Sequence, residues 1–130
     1  MRAVVLTAIL MAIPLATGCA SRCEAVCEKV NTCSLAERST DVDCGPFCSD
    51  VESFQQRAVT EGQASCDEQW QAHLSCWENN SAQICDQSFA DCKAKGQEWS
   101  DCMTAYCAAV ASQSKTDPSC SKGKPTLLPF

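Results

Sequence analysis

The sequence predicts an all-α domain of four helices, arranged as two antiparallel helical hairpins that are linked by disulfide bonds. Three observations support this prediction. Apolar residues and cysteines recur at the 3.6-residue helical period in four segments. No segment alternates apolar and polar residues with the period of two that a strand requires. Cysteine makes up 13 of the 130 residues, a density typical of a small disulfide scaffold formed in an oxidising compartment.

The first two helices are predicted over residues 20–34 and from Asp43 to residue 61. Asp43 is a suitable N-cap, Pro46 falls in the first turn, where its missing amide proton costs little, and Gly62 ends the second helix. The inward faces of these two helices hold Cys23, Val26, Cys27, Val30 and Cys33, and then Cys44, Phe47, Cys48, Val51, Phe54 and Ala58.

The third helix is predicted to begin at the stretch "SCDE", which reads as a capping box with Ser65 at the N-cap and Glu68 at N3. The stretch "NNS", residues 79–81, ends it. Its inward face is expected to hold Cys66, Trp70, His73 and Trp77, with Cys76 beside them.

The fourth helix is predicted from Cys85 to Val110, on an apolar stripe that continues through Gly96. A glycine inside a helix costs about 1 kcal/mol relative to alanine, so its place on this stripe indicates a close helix crossing or a kink. The stripe also holds Phe89, Cys92, Trp99, Met103 and Tyr106. The tail, residues 113–130, is rich in Ser, Lys and Pro and is expected to be irregular and held only by Cys120.

The cysteine spacings predict how each hairpin is closed, because residues that face each other in an antiparallel pair have a constant sum of residue numbers. Two pairs in each hairpin satisfy this condition: Cys23–Cys48 with Cys27–Cys44, and Cys66–Cys102 with Cys76–Cys92. Pairing Cys107 with Cys120 would hold the tail, and would leave Cys33 with Cys85 to link the two hairpins. The sequence alone does not fix the choice for these four.

Residues 1–18 have the features of an export signal. Arg2 provides the positive charge, residues 3–13 form an apolar run, and Pro14 ends that run. The run is too short to cross a bilayer as a helix.

The segment "LATGC", Leu15 to Cys19, resembles the lipobox of bacterial lipoproteins. The resemblance implies cleavage before Cys19, a diacylglycerol on its sulfur and stable attachment to a membrane. Ala20, rather than an aspartate, follows, which in that family implies sorting to the outer membrane. The alternative is ordinary signal cleavage after "GCA", which leaves Ser21 first. Either cut removes Cys19 from the pairing pool and leaves an even number of cysteines, enough for a full set of bridges.

We therefore expect a signal peptide over 1–18, a lipidated anchor and short linker over 19–22, a disulfide-stabilised helical domain over 23–112, and the tail over 113–130. The net charge of −6 disfavours binding to nucleic acid, because an acidic chain repels a phosphate backbone. The expected partners are membrane lipid, through the anchor, and a protein that the sequence does not identify.

No catalytic residue, metal site or cofactor is predicted, and we expect a protein that is not an enzyme. Redox enzymes of the thioredoxin type use Cys-x2-Cys, and that spacing does not occur. His73 is the only histidine, and its place between Trp70 and Trp77 favours a packed core residue over a metal ligand or general base. Six acidic residues are expected on solvated helix faces: Glu24, Glu28, Asp50, Glu52, Asp67 and Glu68.

The lipobox is followed by two Cys-x3-Cys helices, at Cys23 and Cys44, and then by spaced single cysteines. This order is similar to that of small cysteine-rich lipoproteins of myxobacteria. The resemblance brings no known activity with it, and the expected role is structural or in protein interaction at the cell envelope.

Two alternatives remain. Bacterial copper storage proteins are four-helix bundles with a similar number of inward cysteines, so Cu(I) or soft-metal binding is one of them. The other is a secreted carrier of apolar ligands, because Cys23-x3-Cys27 and Cys66-x9-Cys76-x8-Cys85 resemble part of the insect odorant-binding pattern. The twin Cys-x9-Cys spacing also resembles the coiled-coil-helix-coiled-coil-helix proteins, although Cys85 interrupts it.

Overall fold

Four helices and one small β-hairpin form the part of the chain that the structure describes, residues 21–33, 41–86 and 88–130 of a computed structural model. The helices are α1 (Arg22–Asn31), α2 (Cys44–Thr60), α3 (Asp67–Asn79) and α4 (Ala90–Ser112), with a 3₁₀ turn at Ser81–Gln83. The strands β1 (Cys120–Ser121) and β2 (Lys124–Pro125) pair antiparallel. The chain is therefore mostly helical, as predicted, but it is not all-α.

The helices pack in a definite order. α1 lies on α2 and on α3, α3 makes its most extensive contact with α4, and α2 also touches α4. The tryptophans are core residues: Trp70 and Trp99 are almost fully buried, with ring centroids 5.1 Å apart. The rest of the core contains Val26, Val51, Phe54, Ala58, Leu74, Trp77, Met103, Tyr106 and Val110, together with most of the cysteines.

A capping box starts α1 rather than α3. The Ser21 hydroxyl accepts a hydrogen bond from the Glu24 amide at 3.2 Å, and the Glu24 carboxylate accepts one from the Ser21 amide at 2.8 Å. The box predicted at Ser65 does not form, because α3 begins at Asp67 with Cys66 as its N-cap. Glu68 is then at N2, and Ser65 accepts only from the Asp67 amide. Asp43 is the N-cap of α2 as predicted, but its side chain makes no capping hydrogen bond.

The fourth helix starts later than predicted, at Ala90, so that Cys85 and Phe89 precede it. It runs through Gly96 without interruption. A Cβ atom at position 96 would lie 2.8 Å from Cγ of Pro129 and 3.0 Å from Cε1 of His73. The close packing expected at Gly96 is therefore present, and the elements that pack against it are α3 and the tail.

The prediction of an irregular tail held only by Cys120 is wrong. The two strands are joined by Lys122 and Gly123, which both have positive φ angles, of 51° and 74°. Asp117 and Ser119 are buried beside them. Leu127 and Phe130 pack against the core. Strands of two residues have no periodicity to detect, and these contacts join parts of the chain that are far apart in sequence.

Among the described residues, no helix combines the length and the apolar character that crossing a bilayer requires. Cys19 and the predicted signal peptide lie outside the described residues.

Candidate functional site

Two disulfide bonds join α1 to α2. Cys23 bonds to Cys48 and Cys27 bonds to Cys44, with Cα atoms 5.8 and 5.6 Å apart. The cysteines are one helical turn apart on each helix, so the two bonds form successive rungs between antiparallel helices. They are the pairs that the constant sum of residue numbers predicts.

Two further bonds join α3 to α4 in the same manner. Cys66 bonds to Cys102 with Cα atoms 5.9 Å apart, and Cys76 bonds to Cys92 with Cα atoms 5.4 Å apart. The nine residues between the cysteines of each helix place these rungs almost three turns apart, one near each end of α3.

The last two bonds join the four cysteines whose pairing the sequence left open. Cys33 bonds to Cys85 and is the bridge between the α1–α2 hairpin and the α3–α4 hairpin. Cys107 bonds to Cys120 and fixes β1 to α4. Every cysteine from Cys23 to Cys120 is therefore part of a disulfide.

This pairing limits what the sulfur atoms can do. A thiolate is the form of cysteine that attacks electrophiles and binds soft metals, and a disulfide sulfur is neither nucleophile nor thiolate ligand. In the three described ranges no group of three or more His, Cys, Asp or Glu side chains is arranged to hold a metal ion. The bonded cysteines act as covalent braces.

His73 is fully buried, on the face of α3 where the sequence placed it. Its Nδ1 atom lies 2.9 Å from the Cys92 carbonyl oxygen, so the neutral ring carries its proton on Nδ1 and donates it there. Nε2 has no partner within hydrogen-bonding geometry in the described structure. Burial lowers the pKa of His73, and the carbonyl groups of Cys92 and Phe130 offset only part of that effect. The ring is a neutral core residue.

The aromatic rings around His73 come from two parts of the chain, α3 and the tail. Trp70 and Trp77 precede and follow it on α3, at centroid distances of 5.4 and 6.3 Å. The Phe130 ring lies 5.6 Å away and covers the cluster from the tail. Phe130 was not predicted to join this cluster, because no periodic pattern connects it to α3.

A buried ionic network, which was also not predicted from the sequence, holds the start of the tail. Asp117 accepts hydrogen bonds from Arg57 of α2, from the Tyr106 hydroxyl and from the Ser119 amide. The Ser119 hydroxyl accepts a further one from Arg57 at 2.8 Å. The only sequence signal for this site is a single Asp in a tail of Ser, Lys and Pro residues.

Two of the grooves on the described surface involve α3. The first, which we call the α2–α3 groove, has a volume of about 250 Å³ and is lined by Glu52, Gln55, Gln56, Val59, Ser65 and Asp67. The second lies between α1 and α3 and has a volume of about 150 Å³, with Val26, Trp77 and Ile84 among its lining residues. The first exposes polar and apolar surface in equal measure, and the second is mainly apolar.

Four of the six acidic residues assigned to solvated faces are exposed and form no ion pair with another described residue: Glu28, Asp50, Glu52 and Glu68. Asp67 is exposed and accepts a hydrogen bond from Gln71 at 3.2 Å. Glu24 is half-buried because it caps α1.

Comparisons of the chain with protein-family models, with curated protein sequences and with solved structures find no match. The function is therefore inferred from the disulfide framework, the grooves and the sequence signals.

Proposed function

We propose that this protein is a lipid-anchored, disulfide-braced helical domain of the bacterial cell envelope, placed on the outer membrane. Its role is to present a rigid surface to a partner protein. The sulfur of Cys19 carries the lipid, and the other cysteines form the brace. The domain has no catalytic residue and no cofactor.

The complete pairing of the other cysteines is the observation that carries this proposal. Six disulfides use all the cysteines from Cys23 onward, so Cys19 is the odd one, and it stands at the end of the lipobox-like segment. Disulfide frameworks of this density are typical of exported proteins. A cysteine that is left without a disulfide partner at the end of an export signal is suited to be the attachment point for lipid.

The bracing also fits a small domain with few aromatic residues. A short chain buries a limited fraction of its surface, and native disulfides typically contribute about 2–4 kcal/mol each, without simple additivity. The cross-links compensate for the small core, which suits a protein that works outside the cytoplasm.

The two alternatives have less support. A Cu(I) store needs thiolates, and the paired sulfur atoms provide none. A carrier of apolar ligands needs an enclosed cavity, and typical ligand pockets measure about 300–1,000 Å³. The groove between α1 and α3, at about 150 Å³, is smaller than that range.

The mass of the purified mature protein, measured before and after reduction and alkylation, tests the proposal. We expect the mass of a chain that begins at Cys19 and carries acyl chains. Without reduction, no cysteine should be alkylated. After reduction, each disulfide should add two alkyl groups. The Cys19→Ser variant should lose the acyl mass and leave the membrane fraction. A mature chain without fatty acid, or one with all its thiols free, would contradict the proposal.

A further inference from the structure

We propose that the cleft beneath the end of the tail is a peptide-binding site, which residues 127–130 of the same chain occupy in this structure. Its partner is an extended segment of another protein, with an aromatic side chain in the place of Phe130 and a hydrogen-bond donor in the place of Pro129. This inference rests on the partner-binding role proposed above and adds to it a surface and the chemistry of the partner. It does not depend on the lipid anchor.

The walls of this cleft, which we call the tail cleft, belong to the braced helices. They are formed by side chains of α2 and α3 and by a glycine of α4: Phe47, Trp70, His73, Trp77 and Gly96. Two disulfides join α3 to α4, and no residue after Cys120 takes part in a disulfide. The walls are therefore held together without any contribution from residues 127–130.

The tail cleft contacts an aromatic side chain and a main-chain carbonyl of its occupant. The Phe130 ring lies 5.6 Å from the Phe47 ring and 6.1 Å from the Trp70 ring, measured between centroids. The indole Nε1 of Trp77 donates a hydrogen bond to the Phe130 carbonyl oxygen at 3.3 Å. Every peptide has such a carbonyl, so an extended segment with an aromatic side chain can make both contacts.

The occupant is weakly held. The last backbone hydrogen bond of the tail runs from the Thr126 amide to the Ser119 carbonyl, at 2.9 Å. Beyond it, no amide of residues 127–130 donates a hydrogen bond to another described residue. Leu127 and Phe130 are only partly buried, and Leu128 is 70% exposed. A segment with few buried contacts opens at a small fraction of the cost of global unfolding, so residues 127–130 can leave the cleft while the helices stay folded.

The tail also leaves a buried acceptor of the cleft without a donor. The Nδ1 proton of His73 is donated to Cys92, so Nε2 is an acceptor, and it has no partner among the described residues. A Cβ atom on Gly96 would lie 2.8 Å from Pro129 Cγ and 3.0 Å from His73 Cε1, so the two rings border the same space. Proline has no amide proton to donate. The side-chain oxygen of Gln69, one turn before His73, is a second buried acceptor without a partner.

This mismatch indicates the chemistry of the partner. A buried acceptor without a donor is unfavourable, and a segment that carries a hydroxyl in the place of the Pro129 ring can supply one to His73. The partner competes with the tail, because its apparent affinity is reduced by the fraction of molecules in which the cleft is open. Until a partner binds, residues 127–130 cover aromatic side chains that would otherwise form an exposed apolar patch.

Fluorescence titration of the purified mature protein with a synthetic peptide that copies residues 124–130 tests the inference. The release variant carries Leu127→Ser and Phe130→Ser, which weaken the contacts of its own tail. The matched control is Leu128→Ser, because this side chain points away from the cleft. The release variant should bind the peptide several-fold more tightly than the control and the natural protein. If the double variant loses its helical circular dichroism, Phe130→Ser alone replaces it.

Two further peptides test the donor. They differ only in carrying serine or alanine in the place of Pro129, and the serine peptide should bind the release variant several-fold more tightly. His73 is the only histidine, so the protein labelled with ¹⁵N-histidine has a single Nε2 resonance. That resonance should shift on addition of the serine peptide and should shift much less with the alanine peptide.

Each outcome decides the question. Tighter binding by the release variant, a preference for serine and a shifted Nε2 resonance support the inference. A folded release variant that binds none of the peptides overturns it, and so does binding that does not distinguish serine from alanine. If the natural protein forms a dimer that the release variant does not form, the occupant is a second copy, and the proposed partner is wrong. The acyl mass of the same samples reports on the anchor, so acylated protein that binds no peptide overturns this inference alone.

Discussion

Asp117 accepts two hydrogen bonds from the Arg57 guanidinium, from Nε at 2.6 Å and from Nη2 at 3.0 Å. The Asp117 side chain is 3% exposed, whereas that of Arg57 is 37% exposed. The Tyr106 hydroxyl donates to the same carboxylate at 2.8 Å. This pair ties α2 to the segment that follows α4, and it places β1 and β2 beside α4.

The first prediction concerns the removal of the Asp117 charge. Asp117→Asn should lower the free energy of unfolding by about 2 kcal/mol, because it leaves Arg57 with an unmatched charge in a partly buried site. The measurement is guanidinium unfolding with the disulfides intact. Glu61→Gln is the matched control, because Glu61 pairs with Lys115 on the surface, where both side chains are about half exposed. It should cost less than about 1 kcal/mol. Equal losses in the two variants would contradict a special role for Asp117.

The second prediction is a loss of stability in acid that begins with His73. Burial lowers the pKa of His73, so the folded protein keeps the ring neutral while the unfolded chain takes up a proton below about pH 6.5. Above that pH, His73 should therefore have no effect on how the free energy of unfolding varies with pH. Below it, the free energy of unfolding should fall as the pH drops toward the pKa of His73 in the folded protein. His73→Gln should remove this step, because its amide can still donate to the Cys92 carbonyl but does not titrate. If the loss of stability in this pH range persists in the variant, a group other than His73 causes it.

The third prediction is a separate loss at lower pH, due to Asp117. Burial alone would raise the pKa of Asp117, but hydrogen bonds from Arg57, the Ser119 amide and Tyr106 outweigh it and hold the pKa below its ordinary value. Its contribution to stability is present above the unfolded pKa of about 3.9 and is lost as the pH falls through the folded pKa. Urea unfolding between about pH 4 and 2 should show a steeper decline for the natural protein than for Asp117→Asn. Parallel curves would rule out this assignment.

The fourth prediction concerns the bridge between the hairpins. Replacing Cys33 and Cys85 together by serine should lower the free energy of unfolding by about 2–4 kcal/mol, because this bond is the covalent link between the α1–α2 and α3–α4 hairpins. Hydrogen exchange should accelerate most where α1 meets α3, near Arg22 and Val26. The matched control replaces Cys107 and Cys120, whose bond closes the shortest of the six loops. There the exchange should accelerate in the tail instead. The same exchange pattern in both variants would argue against a hairpin-linking role.

The fifth prediction tests the close approach at Gly96. Gly96→Ala should destabilise the protein by about 1–3 kcal/mol, despite the higher helix propensity of alanine, because the new methyl group meets Pro129 and the buried His73 ring. The tryptophan fluorescence should change as well, because the indole Nε1 of Trp77 donates to the Phe130 carbonyl at 3.3 Å. Gly45→Ala, whose nearest new contact would be Glu24 Oε1 at 3.9 Å, is the control and should be nearly neutral. A stabilised Gly96→Ala variant would show that the tail moves aside at no cost.

The sequence predicted the helices and the rungs between them for a physical reason. Helical periodicity places Cys23 and Cys27 on one face, and the antiparallel register then allows each to meet a single partner on α2. The same argument applies to α3 and α4. The capping pattern was less informative, because Ser65 and Glu68 fit the box in sequence while the helix starts one residue too late for it.

By itself, then, the sequence determined the helical segments, the inward stripes and the rungs, because all of these follow from short-range spacing along the chain. Tertiary structure alone decided that the tail folds back through Asp117 and Phe130, and that His73 and Pro129 pack closely against Gly96. These features depend on contacts between residues that are distant in the chain, so no local sequence periodicity predicts them.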